Sequence, residues 1–101
     1  MKLNVLERLM LLGILPKENN FATLKIVRTL TSNLGFDEKE TTEFDIKQEG
    51  DKVIWNQKGS EEREIEIGEK ATDIIVESLK KLDEEKKLNE QLFSVYEKFV
   101  K

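Results

Sequence analysis

The sequence predicts an α+β domain: an N-terminal helical pair plus a short third helix, a three-stranded antiparallel β-meander, and two C-terminal helices packing on one sheet face. Three observations carry this reading. Between Glu61 and Leu88 the apolar period changes from two residues (Ile65, Ile67) to about 3.6 (Ala71, Ile74, Ile75, Leu79, Leu82) across Gly68, which marks a strand feeding a helix. Upstream, FDIKQ and KVIWN flank Glu49-Gly50-Asp51, the composition of a tight hairpin. Ahead of both, two long segments repeat their apolar residues at three and four.

In LNVLERLMLLGIL, Leu3, Leu6, Leu9, Met10, Gly13 and Ile14 recur at helical spacing, and Val5, Leu11, Leu12 and Leu15 widen the apolar stripe past half the circumference. Such a helix needs two partners. Pro16 ends it, because proline lacks the amide donor and disfavours helical geometry in the residue before it. After PKENN, Asn19 or Asn20 caps a second helix, FATLKIVRTLTSNL, with Phe21, Leu24, Val27, Leu30 and Leu34 as its inner stripe and Ile26 on the flank. Gly35 supplies the residue that leaves the helix, and Phe36 the apolar residue after it. Asp37 caps the acidic segment DEKETTEF, long enough for about two turns of helix.

In the hairpin, a Gly50-Asp51 loop sets Glu49 against Lys52 and Ile46 against Trp55, whereas a Glu49-Gly50 loop sets Ile46 against Val53 and Phe44 against Trp55. Both registers share the inward face Phe44, Ile46, Val53 and Trp55 and leave Ile54 on the other side. The link from Gln57 to Ser60 contains Gly59 and leads to a third strand, with Ile65 and Ile67 inward and Glu62, Glu64 and Glu66 outward. Neighbours in sequence pair most often, so the strands are expected to form a meander. The helix from Glu69 covers the sheet and runs into DEEKK. Asn89 then caps a last helix, EQLFSVYEKFV, with Leu92, Tyr96 and Phe99 on one side and Phe93 and Val100 beside them. Phe21, Phe36, Phe44 and Trp55 are expected in the core.

A chain of 101 residues makes one domain, 1–101, and buries about two-thirds of its unfolded surface. Hydrophobic and charged residues stand at 38% each, so the core is lean and the surface densely ionised. The absence of cysteine and histidine excludes disulfides, thiolate chemistry, the usual general base and the commonest transition-metal ligands. Neither a metal nor a cofactor is expected. A two-carboxylate hydrolase remains chemically conceivable, yet 21 acids mark out no pair, and the five glycines form no phosphate loop. Glu62, Glu64 and Glu66 would stand about 6.5–7 Å apart along a strand, too far to converge on one hard cation. The expectation is therefore no enzyme. Without an apolar run of ~18 residues no membrane span is expected. The N-terminal apolar stretch carries Glu7 and Arg8, which argues against a signal peptide and for the cytoplasm.

The net charge of −4 is uneven: residues 1–35 carry five positive and two negative charges, 36–68 five and eleven, 69–101 seven and eight. Such asymmetry is satisfied either within the molecule or between molecules. Two surfaces are candidates. The aromatic terminal helix (Phe93, Tyr96, Phe99, Val100), with Leu11 and Leu12 of the first helix, offers more apolar surface than a lean sheet can cover; the two helices pack together, or they form a homodimer or dock a protein partner. The function expected on this ground is a non-enzymatic protein–protein interaction or accessory protein that self-associates through its terminal helices. The alternative is a nucleic-acid-binding accessory protein using the basic face of the second helix, Lys17, Lys25 and Arg28, with Thr29 and Ser32 nearby. A winged helix-turn-helix would instead insert its third helix, and here Asp37, Glu38, Glu40 and Glu43 would repel phosphate.

Over most of its length, at MKLNVLERLMLLGILP, FATLKIVRTL, FDIKQEGDKVIWN and IEIGEKATDIIVESLKKLDEEKKL, the chain resembles small uncharacterised proteins encoded in phages and prophages of low-GC Gram-positive bacteria. The resemblance implies a compact cytoplasmic accessory protein that binds another protein of the phage or its host. It assigns no catalytic or binding residue.

Overall fold

Asn4 turns the chain into its first helix. Its side-chain oxygen accepts a hydrogen bond from the Glu7 amide, and the Glu7 carboxylate accepts one from the Asn4 amide, a reciprocal capping box. In this computed structural model, which describes residues 1–100, that box separates a short strand, β1 (Lys2–Leu3), from helix α1 (Val5–Ile14). Leu15 is extended ahead of Pro16. Helix α2 (Phe21–Leu34) starts on Asn20, whose side chain accepts from the Thr23 amide, and α3 (Glu38–Glu43) starts on Asp37 in the same way.

The hairpin follows as β2 (Lys47–Glu49) and β3 (Lys52–Ile54), with Glu49 opposite Lys52 and Lys47 opposite Ile54. Gly50 and Asp51 form the loop, and Gly50 has the positive φ of 59° that the turn requires. Phe44 is fully buried and Ile46, Val53 and Trp55 are half-buried, so the inward face is the expected one, while Ile54 is exposed.

The expected three-stranded meander does not form. Strand β4 (Arg63–Glu64) pairs with β1, Lys2 opposite Glu64 and Leu3 opposite Arg63, and the Ile65 amide donates to the Met1 carbonyl. The sheets are two separate antiparallel pairs. The cause lies between β3 and β4. Asn56 donates its amide to the Phe44 carbonyl, caps a 3₁₀ turn at Gln57–Ser60, and so closes the hairpin before a third strand can join it. Gly59 sits in that turn directly against the Trp55 ring, where a Cβ would lie 2.2 Å from a ring carbon.

The remaining helices are α4 (Glu69–Glu84) and, after a 3₁₀ turn at Glu90–Leu92 capped by Asn89, α5 (Phe93–Phe99). They pack against α1, and α4 also against α2. The core is mainly an interhelical one: Leu11 of α1, Val27, Leu30 and Leu34 of α2, Ile75 and Leu79 of α4, and Val95 of α5, joined by Leu3 of β1 and by Ile65 just after β4. Ala71, Ile75 and Leu79 are the buried positions of α4, as the period of 3.6 requires.

Phe21 departs from the expected core, being 81% exposed. Successive steps of three residues lag a 3.6-residue turn by about 60° each, so the series Phe21, Leu24, Val27, Leu30 carries its first member to the far side of the helix from its last. Gly35 also departs from expectation. Its φ of −67° is not left-handed, and α2 ends in an extended residue. The open carbonyls there are taken up by an arginine side chain from α1.

Candidate interaction surfaces

The ionic side chains that the fold gathers are committed to holding it together. Arg8 is 1% exposed. Its Nε donates to the Leu34 carbonyl at 3.0 Å, its Nη2 to the Gly35 carbonyl, and both terminal nitrogens to the Glu40 carboxylate at 2.9 and 3.1 Å. The guanidinium also lies 4.0 Å from the centre of the Phe36 ring. It thus caps the negative end of α2, neutralises α3 and stacks on the segment joining them. Arg63 continues the pattern. It holds Glu43 through two hydrogen bonds, lies 4.0 Å from Glu40 and stands 4.7 Å from the centre of the Phe44 ring. Arg8 from the basic N-terminal third therefore meets an acid of the middle segment inside the molecule. The Glu43 carboxyl is held below the usual carboxylate range by the Arg63 hydrogen bonds, and Arg63 is raised by the same contact.

A second knot joins the two ends of the chain. Glu7, 1% exposed, accepts from Lys98 Nζ at 2.8 Å and from Ser94 Oγ at 2.8 Å, and Lys98 also donates to the Lys2 carbonyl and to Glu62 at 2.6 Å. Burial alone would raise the Glu7 pKa, but the hydrogen bonds from Lys98, the Asn4 amide and Ser94 outweigh it, and the group is lowered. Burial likewise pulls Lys98 down, and Glu62 and Glu7 outweigh it and raise the group. Glu62 and Glu64, placed by sequence on a solvated strand face, are exposed, with Glu62 recruited to this knot. Among the described residues no group of three or more carboxylates is placed to hold a metal ion.

Of the two surfaces singled out in the sequence, one is apolar and the other cationic. Of the terminal-helix candidates, Phe93 is 61% exposed, while Tyr96, Phe99 and Val100 are half-buried against the core. The Tyr96 hydroxyl lies 3.3 Å from Asp83, and burial followed by the Asp83 charge raises its pKa. Leu12 is half-buried, and Leu11 is completely buried, so Leu11 belongs to the core and not to an exposed surface. The buried residue of α5 is Val95, absent from the stripe read in the sequence. Leu92 and Val95 are three residues apart, so helical spacing puts both on the inner side. Lys17, Lys25 and Arg28 are all exposed, and Phe21, which sequence periodicity assigns inward, shares the outer side of α2 with the last two.

No protein-family model matches the chain, and neither a curated protein nor a solved structure matches it.

Proposed function

We propose that the chain is a small non-enzymatic interaction protein, a cytoplasmic accessory factor that associates with itself through its terminal helix. The observation that carries this reading is the ridge formed by Phe93 and Tyr96 of α5 and Val100 at its end. These positions follow at three and four residues, with Phe93 well exposed and the other two half-exposed. An aromatic residue flanked by further apolar surface is the usual centre of a protein interface. The carboxylates with lowered pKa values are held by arginine, lysine or the N-terminal amine, and this favours binding over acid–base chemistry. The likeness to phage-encoded accessory proteins agrees with it. No helix of the described residues is long and apolar enough to cross a membrane. Hydrogen exchange at low and high protein concentration tests the proposal. Amides of α5 gain protection with concentration in the wild type and not in Phe93→Glu, whereas concentration-independent exchange in both proteins removes the reading.

Nucleic-acid binding through Lys17, Lys25 and Arg28 is the second reading, favoured by the exposure of all three cations. Against it stand the net charge of −4 and the two carboxylates, Glu66 and Glu69, that border the same side of α2.

A further inference from the structure

The chain has three arginines, and Arg28 stands apart from the other two. Arg8 and Arg63 each hold a carboxylate and lie over an aromatic ring. Arg28 is exposed and, among the described residues, has neither an ion-pair nor a hydrogen-bond partner for its side chain. A planar guanidinium left open on a surface is suited to a bidentate carboxylate. Lys25, one turn earlier, is equally unpaired among the described residues. Phe21, Lys25, Arg28 and Ser32 follow at four, three and four residues, so they share one ridge, and all four are exposed. Helix α2 carries no acidic residue, although acids make up 21 of the 101 residues of the chain. The charge on this ridge is thus purely cationic, and the ridge begins with Phe21, a large apolar side chain that is 81% exposed.

A groove of about 560 Å³ runs beside this ridge, between α2 and the start of α4. Lys25 and Thr29 border it, and Ile26, Leu30, Ile67 and Ala71 give it an apolar lining. Its opposite wall carries Glu66, Glu69 and Lys70. The ridge is therefore purely positive in charge, whereas the wall across the groove is mixed.

We propose that this ridge and groove dock an acidic segment of a partner protein that carries at least one large apolar side chain, its carboxylates meeting Lys25 and Arg28 and its apolar group entering the groove beside Ile26 and Ile67. The mixed chemistry favours such a segment over a nucleic acid, whose uniform phosphates would meet Glu66 and Glu69. The proposal rests on the reading of the chain as an interaction protein, but uses a surface distinct from α5.

The test is an amide-resolved NMR titration of the full chain with three probes of matched length: a peptide alternating glutamate with leucine and phenylalanine at helical spacing, polyglutamate, and single- and double-stranded oligonucleotides. The mixed peptide is expected to shift the amides from Phe21 to Ser32 and from Ile67 to Ala71. Binding should be weakened about tenfold or more in K25E/R28E and in Phe21→Ser, and polyglutamate should bind about tenfold more weakly than the mixed peptide. These substitutions fall on exposed positions, and unchanged spectra elsewhere verify the fold. The proposal is overturned if the mixed peptide fails to bind, binds elsewhere or binds K25E/R28E equally well. It is overturned in favour of nucleic acid if an oligonucleotide shifts the same amides more tightly than the peptide, and in favour of a second copy if protein concentration alone shifts them. Repeating the titration in Phe93→Glu separates the two surfaces: peptide binding retained there shows that α2 acts independently of self-association through α5.

Discussion

Lys98 and Glu7, 91 residues apart in sequence, meet at 2.8 Å and fasten α5 to the first turn of α1. The Glu7 carboxylate also accepts from the capping amide of Asn4 and the hydroxyl of Ser94, so one buried carboxylate both starts the first helix and ties down the last. The unpaired ion would be costly at such a site, and the pair is retained because every oxygen has a donor.

This knot should govern how stability depends on pH. Glu7 titrates below its ordinary value of 4.5, so its contribution is present above that value and is lost as pH falls through the lower value of the folded state. Lys98 titrates above its ordinary value of 10.5, so its contribution is complete below 10.5 and is lost as pH rises through the folded value. Stability from the pair is therefore greatest between those limits. Glu7→Gln should lower unfolding stability by about 2–4 kcal/mol at neutral pH, and by much less in strong acid, where the wild-type carboxyl is itself protonated. Thermal melts across pH check this. An equal loss at all pH values would show that Glu7 acts through shape alone.

Arg8→Lys should be far from conservative. An ammonium cannot reach the Leu34 and Gly35 carbonyls and the Glu40 carboxylate together, nor lie flat on the Phe36 ring. The expected loss is about 2–4 kcal/mol in urea unfolding, because some of the carbonyl and carboxylate acceptors that Arg8 serves are left without a donor. A loss of a few tenths would mean that the end of α2 does not need this cap.

Much of the local structure was legible in the sequence, because local structure has local causes. The bounds of α2, the caps Asp37 and Asn89, the hairpin's inward face, and the inner positions Ile65, Ala71, Ile75 and Leu79 all follow from spacing and capping chemistry, whereas the choice of Asn20 over Asn19 and of the Gly50-Asp51 register over its alternative came only with the structure. Long-range partnerships left no periodic trace. The β1–β4 pair is two residues long on each side, too short for alternation to announce, and it displaced the expected meander. Arg8 reads as an interruption of an apolar helix until its carbonyl and carboxylate partners from α2 and α3 are in place. At the candidate surfaces, the sequence pointed to the aromatic terminal helix and to Lys25 and Arg28. It did not separate exposed Phe93 from buried Val95, although Val95 stands at helical spacing with Leu92 and Phe99, and it placed Phe21 on the wrong side of α2.

Gly59→Ala should strain the closure of the hairpin. The added methyl would meet the Trp55 indole at 2.2 Å, which forces the ring or the 3₁₀ turn to move. The expected cost is about 1–3 kcal/mol. Because Trp55 is the one tryptophan of the chain, its emission reads the displacement directly, and an unshifted spectrum with unchanged stability would contradict the contact.

Self-association through α5 is the central claim, and sedimentation equilibrium over a wide concentration range tests it most directly. The expected result is a wild-type mass that rises from monomer towards dimer while Phe93→Glu stays monomeric with the same melting temperature. A wild-type protein that remains strictly monomeric at the highest concentration would contradict the claim.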